Sequence, residues 1–213
     1  MDKMRILYFL EDRAQEGFIK ALVERIAKEE SIPAESLIAD IRSARGGYRI
    51  IKEFKKFLKD TIKTEPSEID FLVIAIDGNC KGYRDRVKEL EKSIKPNHPF
   101  KDRVVYAVPD PHIERWYIMD QRAFKEGVGL HRAPDMPQYK CKKAYYKQIL
   151  NQALKESNVN SLLTGAEYAE RIVENIQDLE SFSRQNSGCQ TFIEELKRIF
   201  KSKMRGLIGE RRQ

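Results

Sequence analysis

The sequence predicts an α/β protein, with a parallel sheet of about four strands flanked by helices and additional helices at the C-terminal end. Two patterns carry that expectation. The apolar runs 6–10 and 71–76 are continuous rather than alternating, as strands covered on both faces are. Between such runs lie segments whose apolar residues recur at helical spacing, and alternation of the two argues for a parallel sheet.

The first strand, 6–10, stops at Glu11-Asp12. Phe18, Leu22, Val23 and Ile26 then mark a helix from about 15 to 29, which Asp12 could cap. After Pro33, residues 36–39 form a short strand leading to Asp40, and 42–48 is a polar stretch. Ile50, Ile51, Phe54, Phe57, Leu58 and Ile62 define a second amphipathic helix. Pro66-Ser67 punctuates before the third strand, 71–76, which ends at Asp77. A third helix runs from about 83 to 94, with Val87, Leu90 and Ile94 on one face. The fourth strand, 103–108, is stopped by Pro109-Asp110-Pro111, and a helix over 114–120 follows, with Asp110 a candidate cap. A Gly- and Pro-rich stretch spans 127–137. Helices are expected from about 140 to 156, 165 to 176 and 190 to 200, either packed on the sheet or forming a small appendage. The chain therefore divides into an α/β core, 1–125, and a helical extension with a basic tail, 126–213.

With 213 residues the chain can bury a real core. Its net charge is +7 and its pI about 9.2, and residues 197–213 carry seven Lys and Arg against Glu210 alone. A basic tail suits a polyanion, though solvated basic ends are common. Cys80, Cys141 and Cys189 are widely spaced without a Cys-x-x-Cys pair, so neither a disulfide framework nor a zinc knuckle follows. No apolar run approaches the roughly 18 residues of a membrane span, and charged residues lead directly into the first strand. The expectation is a cytoplasmic protein without membrane contact.

Ligands gather beyond the carboxyl ends of parallel strands, where Glu11 and Asp77 both emerge. Two carboxylates delivered to one edge can hold a hard divalent cation such as Mg, which takes carboxylate, water and phosphate oxygens. Asp40, Asp110 and Glu114 are expected near the same edge, although each acid singly is more often a cap or turn residue.

A strand ending in Glu11, a helix, and a later strand ending in Asp77-x-Asn79 resembles a Toprim domain, the fold shared by topoisomerases, primases and OLD-family nucleases. The stretch from Asp110 to Asp120, with Glu114-Arg115-Trp116, looks like a helix of small stand-alone Toprim-like proteins, several of them associated with defence systems. The resemblance covers about 4–125. It departs from the family at Asp12, where glycine is usual, and at Asn79, where a second aspartate is usual. It implies a Toprim-like sheet and a Mg- or Mn-dependent nuclease or phosphoryl-transfer protein acting on nucleic acid. Glu11 would be ligand or general base, Asp77 a metal ligand, and Asn79 and Glu114 supporting ligands, with Glu16 a further candidate. The alternative is a non-catalytic Toprim-like module of a defence or DNA-repair complex, partnered with an ATPase.

Arg45 and Arg49 flank paired glycines and could bring guanidinium forks to a phosphate, while Lys140 and Lys143 could reach back over the acidic edge to nucleic acid. No Walker loop and no Gly-x-Gly-x-x-Gly after the first strand is present. Of the three histidines, His112 lies between Asp110 and Glu114, and Trp116 is read as a core anchor. Cys80 has no partner base in the sequence to make it a nucleophile.

Overall fold

A computed structural model describes residues 3–44, 49–61 and 66–210. Four parallel strands, β1 (Met4–Leu10), β2 (Leu37–Ser43), β3 (Phe71–Ala75) and β4 (Val104–Ala107), form one sheet in the order β2-β1-β3-β4. The chain steps outward from β1 to β2, then crosses back to β3 on the other side of β1. The order therefore reverses between β1 and β3, and their carboxyl ends open the crevice where α/β sheets bind ligands.

Alternate side chains go to opposite faces, which accounts for the continuous apolar runs. Ile6, Tyr8, Leu10, Val73, Ala75 and Val105 join one cluster with helix α1 (Arg13–Glu29). Leu7, Phe9, Leu72, Ile74, Ile76 and Val108 join the other, with α2 (Ile50–Thr61) and α3 (Gly82–Glu91). The remaining helices are α4 (Ile113–Met119), α5 (Gln121–Val128), α6 (Tyr145–Glu156), α7 (Ala169–Asn175), α8 (Leu179–Ser183) and α9 (Ser187–Glu210). All six put buried residues into the α1 cluster, so the C-terminal helices pack on the sheet side rather than standing off as an appendage. Phe200 of α9 meets Phe71 of β3 at 6.1 Å, and Phe192 meets the fully buried Trp116 at 6.2 Å. Truncating a ring of this kind to Ala typically costs about 3–5 kcal/mol.

Several boundaries differ from the sequence reading for identifiable reasons. Asp40 is not at a strand end: β2 continues to Ser43, and Asp40 pairs with Leu7 in register while binding Arg5 Nε at 2.8 Å. Gly127 is a packing glycine rather than a loop residue, because a Cβ there would lie 2.7 Å from the Ile172 Cα of α7. Helix α5 thus ends inside the stretch read as Gly- and Pro-rich, and its own residues had not been read as a helix. Asp120 caps it through Ala123 N, and Gly129 ends it at φ 83°. Helix α6 begins later than expected, and α9 starts slightly before the expected 190–200 and runs well past Phe200 to Glu210. The short α8, capped by Asp178, was not foreseen.

The basic tail is partly consumed by the fold. Lys197 and Lys201 reach Glu29 and Glu30 at the end of α1, and Lys203 binds Asp70 at 2.9 Å. Among the described residues no helix is long and apolar enough to cross a membrane.

Candidate functional site at the ends of the central strands

Glu11 follows β1 and Asp77 lies two residues beyond β3, and the two meet in the β1/β3 crevice. Glu11 N–H donates to Ala75 O, extending the ladder, and Asp77 N–H donates to Glu11 Oε2 at 2.9 Å. Both residues are buried. Gln15, fully buried in the first turn of α1, joins them from the helix side. Its Oε1 accepts from Glu11 N–H at 3.0 Å and its Nε2 donates to Asp77 Oδ1 at 2.8 Å. Asp12 caps α1 by accepting from Gln15 N–H, as expected.

The fourth strand end supplies the other wall. Ile113 N–H, at the start of α4, donates to Asp77 Oδ1 at 3.1 Å, and His112 Nδ1 lies 3.1 Å from Asp77 Oδ2. Burial pushes Asp77 up to about 6, the His112 hydrogen bond opposes the rise, and the charge of Glu114 adds to it. The same hydrogen bond raises His112, whose burial opposes it, with Asp77, Glu114 and Glu11 all favouring the imidazolium. With Nδ1 on Asp77, the Nε2 atom is left to exchange a proton outside the pair.

Asp110 does not cap the helix that follows it. Its Oδ1 accepts from Cys80 N–H and Gly82 N–H at the opening of α3, and its Oδ2 accepts from Tyr139 OH at 2.7 Å. Asp77 holds the start of α4 instead, so the two strand ends exchange helices. The exchange requires close approach. Gly78 N–H donates to Pro109 O, and a Cβ on Gly78 would lie 2.7 Å from the Asp110 Cβ. Asn79 and Cys80 then take positive φ of 48° and 67°, completing a sharp turn.

Asn79 closes this turn on itself, its Nδ2 donating to Asp77 O at 3.3 Å. Glu114 stands in the first turn of α4, near enough to act electrostatically on both Asp77 and His112. Glu16 accepts from Ser43 Oγ at the end of β2. Arg49 is exposed just before α2, and Arg45 lies outside the described residues. Lys140 and Lys143 are exposed in the segment before α6, where Lys140 Nζ lies 5.1 Å from the Tyr145 ring centroid. That segment is tied to the site by a disulfide between Cys80 and Cys141, which the cysteine spacing had not suggested, with Cα atoms 5.6 Å apart. His98 is structural: Nδ1 accepts from Phe100 N–H, leaving Nε2 to donate to Leu58 O.

Sequence reasoning missed Gln15 and the pairing of His112 with Asp77. A signal for Gln15 existed. Asp12-x-x-Gln15 has the spacing of a capping box, which places a Gln side chain back over the helix start. Nothing local pairs His112 with a residue 35 positions away.

The class of protein defined here is a doubly wound parallel α/β fold with an acidic pair at its strand-order reversal. Comparison with protein-family models, with curated proteins and with solved structures found no match, so none of the three identifies a Toprim-like family.

Proposed function

We propose that the β1/β3 crevice is a phosphoryl-transfer site, and that the protein is a Mg- or Mn-dependent nuclease acting on nucleic acid in the cytoplasm. The observation that carries the reading is the meeting of Glu11 and Asp77 at the strand-order reversal, joined through the Asp77 amide. The donor set suits a hard cation: Mg is commonly bound by one or two carboxylates with phosphate and water completing the shell. Among the described residues no group of three or more His, Cys, Asp or Glu forms a ready-made cage, so the substrate would complete the coordination. Glu11 and Asp77 would hold the ion, with Asn79 and Glu114 in support. When bound, the ion would polarise the phosphate and acidify a water.

The chain's own residues have separate tasks. Gln15 and the Ile113 amide fix the Asp77 carboxylate, and Asp77 orients the His112 ring. His112 Nε2 is placed to carry a proton to or from a reacting oxygen. Burial pushes Asp77 up to about 6 before any ion is bound, so a cation there competes with a proton and its binding should strengthen as pH rises through that range.

The test is cleavage of single- and double-stranded DNA and RNA with Mg or Mn, comparing wild type with Glu11→Ala and Asp77→Ala. Each substitution should lower the rate by roughly a hundredfold or more. Activity surviving both overturns the proposal. One observation favours a second reading, a non-catalytic module partnered with an ATPase: Asp77 already spends both oxygens on Gln15, Ile113 and His112. Nucleic-acid binding without cleavage by the wild type would select it.

A further inference from the structure

Residues 131–144 form no helix or strand, yet they reach the ends of both β3 and β4, through Cys80 and Asp110. Separate contacts hold them along their length. Gln121 Nε2 donates to Pro134 O at 2.7 Å, Tyr139 OH to Asp110 Oδ2 at 2.7 Å, and Lys140 N–H to Tyr146 OH at 3.1 Å. His131 N–H donates to Ser157 Oγ at 3.1 Å, the Arg115 guanidinium lies 5.0 Å from the Tyr139 ring centroid, and Met136 packs against the α1 cluster. A covalent tie joins Cys141 to Cys80, and Cys80 lies three residues after Asp77. Both cysteines are exposed, as are Lys140, Lys142 and Lys143 beside them. The disulfide thus ties the backbone that carries three exposed lysines to the turn that follows Asp77. It also seats Tyr139 as one wall of a cleft of about 290 Å³ shared with Asp110, Arg115 and Ser187.

We propose that the Cys80–Cys141 disulfide is a redox latch that fixes the basic segment 139–143 at the rim of the Glu11–Asp77 crevice and releases it on reduction. The latch rests on the reading given above only for the identity of its partner, a nucleic acid. Exposed disulfides are the ones that exchange readily with external thiols, and a lysine cluster held in place binds phosphates with less ordering cost than a loose one. In the reducing step a dithiol supplies two electrons and two protons. The Sγ–Sγ bond breaks, Cys80 and Cys141 become thiols, and the dithiol leaves as its cyclic disulfide. Cys189 takes no part, because it is fully buried within the α1 cluster.

The experiment compares the full chain, oxidised in air, with the same protein treated with dithiothreitol, and with Cys141→Ser. Thiol titration of the denatured protein should find one thiol in the oxidised form and three after reduction. Trypsin should cut after Lys140, Lys142 and Lys143 at least about tenfold faster once the latch is open, in both reduced wild type and Cys141→Ser. A fluorescent single-stranded oligonucleotide should bind the oxidised form at least about threefold more tightly, with a steeper salt dependence, and Cys141→Ser should lose the redox response. Three titratable thiols after oxidation, or equal trypsin rates in both states, overturn the latch. A faster trypsin cut on reduction with equal oligonucleotide affinity in both states overturns the rim. A latch that opens on reduction in a protein binding no nucleic acid in either state supports the latch while overturning the proposed function.

Discussion

The ends of β3 and β4 each deliver a buried aspartate, and the two are used in opposite ways. Asp110 is surrounded by donors: two backbone amides at the start of α3 and the Tyr139 hydroxyl. Asp77 also accepts an amide and the Gln15 side chain, but it sits among other titratable groups, Glu11, Glu114 and His112. One carboxylate is an anchor whose charge is matched by fixed dipoles. The other is held in a place where charge is costly and a proton is easily exchanged. A carboxylate ringed by fixed donors keeps its charge at little cost, whereas one crowded by other titratable groups holds its charge under electrostatic tension.

Substitutions at the two positions should separate them by sign. The largest effect is expected for Asp110→Ala, which orphans the Cys80 and Gly82 amides and the Tyr139 hydroxyl. It should lower stability by about 2–4 kcal/mol in urea unfolding of the oxidised protein. A neutral result would break the comparison.

Asp77→Asn should instead stabilise the fold at pH 7–8 by about 1–3 kcal/mol while abolishing the proposed cleavage. The folded-state pKa of Asp77, about 6, is raised above the unfolded value of 3.8. The folded state therefore holds the proton more tightly, and this contribution is fully present below the unfolded pKa and lost as pH rises through about 6. Asn keeps the acceptor for Gln15 and Ile113 without the charge, so the gain over wild type should vanish near pH 3.5. His112 works in the same direction, its raised pKa adding stability on the acid side that fades as pH rises through it. Thermal melts of wild type and Asp77→Asn across pH 3.5–8 measure both.

The smallest effect sharpens the Asp110 side. Tyr139→Phe removes one of three donors and leaves the two amides, which should cost about 1 kcal/mol. Because Tyr139 belongs to the latched segment, the loss should be measurable in the oxidised protein and shrink after reduction. An equal loss in both states would mean that Tyr139 stays on Asp110 without the disulfide.

Much of this was legible locally. Continuous apolar runs announce doubly covered strands, and the polar break after each run places Glu11 and Asp77 at the sheet edge, because strand ends are local events. Asp12 as a cap and Trp116 as a core anchor follow from spacing and size in the same way. Asp110 was read against its own helix, since a cap normally serves the segment that follows it. Only the close packing of Gly78 against Asp110 sends it across to α3.

The sequence by itself therefore determined the four strands, the helices between them and the places of Glu11 and Asp77 beyond the ends of β1 and β3, through periodicity and turn chemistry that act over a few residues. Tertiary structure alone decided which acid faces which donor: His112 on Asp77, Gln15 bridging two strand ends, and Cys141 on Cys80 across 61 positions. The physical reason is that a buried carboxylate takes whatever donors the packing of strands and helices brings within about 3 Å, and no local pattern encodes that neighbourhood.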